Sequence, residues 1–237
     1  MGEIILVVIG ILIALSINNQ NENRKERAQE QELLTQLQSE FESNLEQLDQ
    51  KTGMREQMIY ASLKLLHAID YPETRHTDSI IKYMGFSALN PTFDPIVNDI
   101  NSSGRIQLLQ NKNLKERLAR WTSEVIQVTE EEQIWSDYRN NEYIPMLSQK
   151  GLLRNIFDQY WKDNVLSAFH LDQGTKTEIN IGNSKTEIDF SAILDDPLSE
   201  SSMAQCATYA KLTNSQAVSL RQRIVEILDL IEKDLNE

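Results

Sequence analysis

Met203 to Ile231 reads MAQCATYAKLTNSQAVSLRQRIVEILDLI. Within it Met203, Cys206, Ala210, Thr213, Ala217, Leu220, Ile224, Ile227 and Ile231 follow at alternating steps of three and four, the spacing that keeps side chains on one face of a helix. The phase does not slip at Thr213-Asn214-Ser215, so the stretch predicts a single helix of about 38 residues, opened by a capping carboxylate, Asp196, with Pro197 in the first turn. The small residues in the middle of the seam let a partner helix approach closely. Two further stripes match it. From Glu26 onward Leu34, Leu37, Phe41, Leu45, Leu48, Thr52, Ile59, Leu63, Leu66 and Ile69 keep a near-heptad period. That helix closes before Pro72, because the residue ahead of a proline avoids the helical region, and Gly53 is a soft spot within it. From about Leu114 a third stripe, Leu114, Leu118, Trp121, Val125, Val128 and Trp135, shares one side, with a break or kink expected near Tyr143 from Pro145. Three stripes of comparable length predict an all-α fold: an elongated antiparallel helical bundle.

Composition agrees. Eight glycines and five prolines in 237 residues are about 5% of the chain against roughly 12% on average, too few reversals for a many-stranded sandwich or barrel. Against 23 Lys and Arg stand 36 Asp and Glu, a net charge of −13, which argues against nucleic acid as a partner, since neutralising phosphates requires a basic face. One cysteine excludes an intramolecular disulfide and a Cys-based zinc cluster.

Between the stripes the pattern is less regular. Asp78 or Ser79 is placed to cap a short helix through Ile80, Ile81 and Tyr83, and residues 84–94 read as a loop. Asp94-Pro95 is a start signal for a helix with Ile96, Val97 and Ile100 inward, ending at Gly104. Residues 177–190 alternate around Gly182-Asn183 and predict a small β-hairpin insertion.

The N-terminus has a different character. Ile4 to Ile17 reads IILVVIGILIALSI, apolar on every face and about 21 Å long as a helix, short of the ~30 Å hydrocarbon layer of a bilayer. A buried helix is a poor reading, because no comparable apolar partner exists in the chain. The acidic start and weak small-x-small site argue against a signal peptide. The run therefore predicts a membrane anchor over residues 1–20, a transmembrane helix continuing into the body, with residues 21–237 forming one helical-bundle domain. A polar collar, Asn18-Asn19-Gln20-Asn21-Glu22-Asn23, follows, and then Arg24, Lys25 and Arg27.

Gly2 to Lys25, GEIILVVIGILIALSINNQNENRK, resembles the opening of a bacterial family of small membrane-anchored proteins of unknown function. Pro91-Thr92-Phe93-Asp94-Pro95, Asn101 to Leu109 (NSSGRIQLL) and Asn113-Leu114-Lys115 resemble that family's middle. Family members carry a basic, partly apolar stretch ahead of the equivalent of Gly2, so the resemblance implies an N-terminally truncated anchor. It also implies a cytoplasmic N-terminus and an extracytoplasmic, periplasmic body. It brings no activity, cofactor or catalytic residue.

Chemistry-bearing patterns are sparse. The histidines at 67, 76 and 170 form no ligand spacing, so no metal is expected. Cys206 sits on the last seam and reads as a core thiol. Glu130-Glu131-Glu132 and Asp195-Asp196 read as solvated helix faces. There is no phosphate loop or nucleophile elbow, and Ser102-Ser103-Gly104 is better read as helix termination than as a phosphate cradle. The aromatics Trp121, Trp135, Tyr138, Tyr143 and Trp161, with Phe157 and Tyr160 nearby, fall mostly on helical seams and read first as core packing; the alternative is a candidate ligand groove near the Pro145 kink. The expectation is a non-enzymatic, membrane-tethered module without cofactors. It meets membrane lipid through Ile4 to Ile17, binds a protein partner or a second copy of itself, and acts as a sensor or scaffold. The rival readings are a coiled-coil spacer and an enzyme with a site in residues 84–161.

Overall fold

The computed structural model describes residues 2–96, 104–162 and 179–236, with side chains from Leu6 onward. These residues are about 85% helical and contain no strand. The helices are α1 (Gly2–Asp70), α2 (Thr77–Ser87), α3 (Lys112–Tyr138), α4 (Ile144–Gln149), α5 (Leu153–Lys162), α6 (Phe190–Leu194) and α7 (Pro197–Asn236). A π-helical turn, Arg139–Tyr143, joins α3 to α4, and 3-10 turns lie at Pro72–Thr74 and Arg105–Leu108. The chain divides into two compact units, one of Met1–Leu45, Ile96–Thr122 and Gln222–Glu237, the other of Glu46–Pro95 and Ser123–Arg221.

In the first unit α1, α3 and α7 supply the buried residues Leu34, Leu37, Phe41, Leu114, Leu118, Trp121, Ile224, Ile227 and Ile231. Gln110 donates its backbone N–H to Glu30 at 2.6 Å, and the Phe41 and Trp121 rings lie 5.0 Å apart. These contacts set α3 parallel to α1. Asn111 donates to Asp234 at 3.0 Å and Arg117 pairs with Glu226 at 2.7 Å, so α7 runs antiparallel to α3. The expected antiparallel arrangement thus describes α7 but not the α1–α3 pair. Asn44 grips the backbone of Ile96 with both ends of its amide: Nδ2 donates to the carbonyl at 3.0 Å and Oδ1 accepts the N–H at 2.7 Å.

The apolar run forms the first turns of α1, which is one unbroken helix of 69 residues, about 104 Å at 1.5 Å per residue. Leu6, Val7, Val8, Ile9, Ile11, Leu12, Ile13, Leu15 and Ile17 are all between 47% and 71% exposed. Among the described residues, no helix is long and apolar enough to cross a membrane. The transmembrane helix expected here is corrected on that point: the run is short, and polar Asn18 to Asn23 follow it at once.

In the second unit Met58, Leu65, Met84, Leu147, Leu152, Ile156 and Met203 form the centre of the core. The α7 seam is buried at each of its nine positions from Met203 to Ile231. The α1 stripe slips beyond Thr52. Met58, Ala61, Leu65 and Ala68 face the core, while Leu63 is 55% exposed. The buried face there also carries Arg55 and Ser62, polar residues that a search for leucines passes over. The 84–94 loop is shorter than expected, because α2 continues to Ser87.

No hairpin occupies the described part of 177–190; positions 177 and 178 lie outside the described residues. Residues 179–189 instead lean on α5. Arg154 Nε donates to the Ile181 carbonyl at 2.8 Å, Gly182 donates to Asp158 at 3.0 Å, and Ser184 donates to Asn155 at 2.7 Å. Side chains take the backbone groups that a strand ladder would have used, and Gly182 adopts the left-handed φ of +64° that glycine tolerates without cost. The helix expected from Asp94 to Gly104 falls mostly on 97–103, and His170 on 163–178, both outside the described residues.

Candidate functional site

A helix leaves its last carbonyls without intrahelical partners, and at the end of α2 in the second unit four other segments supply them. Tyr143 and Ser87 share a hydrogen bond of 2.8 Å, with both hydroxyls within 3.4 Å of the Met84 carbonyl. The Tyr160 hydroxyl donates to the Gly85 carbonyl. The Cys206 thiol donates to Ser87 O at 3.4 Å, Arg139 Nε to Ala88 O at 2.5 Å, and Trp135 Nε1 to Leu89 O at 3.0 Å. The Arg139 cation stands at the negative end of the α2 dipole, where positive charge is favoured.

Pro145 explains the placement. It has no N–H to offer, and its ring crowds the carbonyl four residues back. The turn widens, so that Ile144 N–H reaches Arg139 O, the i to i+5 pattern of a π-helix. The kink expected near Tyr143 is this turn, and it aims Arg139 and Tyr143 at α2.

Trp135, Tyr138 and Tyr143 are brought together, the Trp135 ring 6.2 Å from each tyrosine ring, and Tyr138 also bonds Ser202 at 3.1 Å. Tyr143 and Cys206 have no exposed surface, so burial raises the Tyr143 phenol and pushes the Cys206 thiol up to about 12. Neither is poised as a base or nucleophile at neutral pH. The other two groove candidates lie elsewhere. Trp121 is buried in the first unit against Phe41, and Trp161 borders a cavity of 410 Å³ with Asp158, Lys162, Ile179 and Asn180.

A second polar cluster involves residues that pattern reading missed. Arg55 donates to Glu132 at 2.7 Å, to Asn214 at 2.8 Å and to the Pro91 carbonyl at 3.3 Å, while Glu132 accepts Phe93 N–H at 2.9 Å. Gln47 grips Asp94 as Asn44 grips Ile96, at 2.8 and 3.0 Å. The segment Pro91 to Pro95 is thereby tied to α1 and α3. Burial raises the Glu132 carboxyl despite the Arg55 guanidinium beside it. The acidic run at 130–132 is therefore not wholly a solvated face. Glu132 stands four residues after Val128 and three before Trp135, so its place in the seam was the available signal.

This unit also has an open, largely apolar cleft of 620 Å³ lined by Met54, Tyr60, Tyr83, Phe86, Lys82 and Asp49. Tyr60 and Tyr83 meet edge to face at 6.0 Å. Among the described residues no group of three or more His, Cys, Asp or Glu side chains is placed to hold a metal ion.

These features define an all-α protein whose polar clusters tie helix ends and connecting segments together and whose first helix opens with an exposed apolar run. Residues 3–70 match the model of a family described as "Family of unknown function (DUF6090)", a match that falls entirely within α1. No curated protein and no solved structure matches the chain.

Proposed function

We propose that this chain is a lipid-anchored helical module without enzymatic activity, which holds a partner-binding body at an extracytoplasmic membrane surface. One observation carries the reading: the apolar side chains at residues 6–17 are exposed around the whole circumference of α1. An apolar cylinder in water is costly, on the order of 25 cal/mol per Å². A contiguous exposed surface of this kind marks a membrane or protein contact, and a helix apolar all round, rather than along one stripe, suits lipid. At about 21 Å the run reaches beyond the ~15 Å depth of one leaflet's hydrocarbon, and local bilayer thinning accommodates short segments. The buried tyrosines and thiol, shut away from solvent, speak against a catalytic role for that cluster. The aromatic cleft at Tyr60, Tyr83 and Phe86 is the part of the body best suited to a protein partner.

The test is fractionation of cells expressing the full chain, followed by a carbonate wash. The protein should stay with the membranes, and Leu12→Glu combined with Ile13→Glu should move most of it to the soluble fraction without altering its helical content. Release of the unaltered protein by carbonate would overturn the anchor. C-terminal reporter fusions decide the side, with activity of a cytoplasm-specific reporter overturning the extracytoplasmic placement.

A further inference from the structure

We infer that Arg24 and Lys25 form a headgroup-reading collar that binds the phosphates of anionic phospholipids; the inference rests on the lipid-anchor reading of residues 4–17. Both side chains are exposed on the continuous α1 helix and make no hydrogen bond or ion pair among the described residues. The next cation, Arg27, is already committed, to Glu30 at 2.6 Å and to the Asp234 carbonyl at 2.6 Å.

Height and direction both fit. Arg24 lies seven residues beyond Ile17, about 10 Å along the axis, against a headgroup layer of about 5–7 Å outside the hydrocarbon. Every Cα–Cβ bond of a helix tilts toward its N-terminus, so these two long side chains lean back toward the membrane, and their apolar stems let the charged ends snorkel the remaining distance. At 100° per residue Arg24 lies about 160° around the helix from both Glu22 and Glu26, and Glu22 is occupied by Asn18 Nδ2 at 3.2 Å. A chain carrying a net charge of −13 is repelled as a whole by an anionic surface. Two uncommitted cations at the waterline reverse that locally.

The experiment is co-flotation of the purified full chain with vesicles of phosphatidylcholine alone, or of phosphatidylcholine with phosphatidylglycerol, at low and high salt. The chain should bind both vesicles, with the anionic ones favoured on the order of 30-fold at low salt, since each basic residue near the surface contributes about fivefold. Added salt should erase most of that preference. Arg24→Gln with Lys25→Gln should lose most of the preference while binding phosphatidylcholine unchanged. Equal binding of the unaltered chain to the two vesicles, or an undiminished preference in the variant, would overturn the collar and leave the anchor standing. Failure to bind either vesicle would overturn both.

Discussion

Tyr143 and Ser87, 56 positions apart, share a hydrogen bond of 2.8 Å where neither residue has exposed surface. The bond joins the π-helical turn to the last turn of α2, and the Met84 carbonyl lies within reach of both hydroxyls. Tyr143→Phe keeps the ring among Trp135 and the surrounding core and removes only the hydroxyl. Ser87 retains Met84 as an acceptor, so no donor is orphaned and the loss should be about 1 kcal/mol. Chemical denaturation should show a lowered midpoint with an unchanged slope. A loss above about 3 kcal/mol would mean that the turn itself depends on the bond.

Arg55 and Glu132 should behave as a coupled pair. Arg55→Met or Glu132→Gln alone leaves a buried group without its partner, at a cost of roughly 3–5 kcal/mol. The double variant should cost less than the two single changes added together, because the uncompensated charge is gone. Simple additivity in denaturation experiments would refute the coupling.

The same pair makes a statement about pH. A carboxyl whose native pKa stands above its unfolded one, as burial arranges at Glu132, binds its proton more tightly in the folded state. Its contribution to stability is therefore greatest below the ordinary carboxylate range and declines as pH rises through the raised native value. Denaturation midpoints of the parent, compared with Glu132→Gln across that window, should show the parent losing relative stability with rising pH. The opposite slope would contradict the burial argument.

Gly85 lies where α2 packs against Tyr160 and Ile156 of α5. A Cβ there would stand 3.2 Å from Tyr160 Cε1 and 3.6 Å from Ile156 Cγ2. Replacing glycine by alanine within a helix ordinarily gains up to about 1 kcal/mol. Here Tyr160 is held by its own bond to the Gly85 carbonyl and cannot easily yield. Overpacking of about 1–3 kcal/mol should win, so Gly85→Ala is expected to lower Tm. The companion Gly53→Ala, whose Cβ meets nothing within 4 Å, should raise it.

The seam can be tested position by position. Leu220→Asp and Ile227→Asp each put a carboxylate at a site no more than 2% exposed and should abolish cooperative unfolding. Leu63→Asp, at a leucine that is 55% exposed, should change stability by no more than about 0.5 kcal/mol. Circular dichroism melts of the three variants suffice.

The register of α7 was readable in full, since its phase is carried by nine apolar or small residues and every one is buried. The register of α1 was readable only as far as Thr52. Beyond it the buried face includes Arg55 and Ser62, and an exposed Leu63 offers a false alternative. Glu132 was misread for the same reason: a charge on a seam looks like a surface residue until its guanidinium partner is known. The aromatics expected to share one groove do not all meet, and no spacing rule places Trp121 and Trp161 apart from the Trp135, Tyr138 and Tyr143 cluster.

The three long striped helices and the distinct apolar opening were settled by residue order alone, because side-chain direction along a helix follows from local backbone geometry. The parallel course of α1 and α3, the π turn that sends Arg139 and Tyr143 to the end of α2, and the tethering of residues 179–189 to α5 were settled only in three dimensions. Each depends on a polar group finding a partner dozens of positions away, and the free energy of leaving such a group unpaired in the interior acts only once distant segments have met.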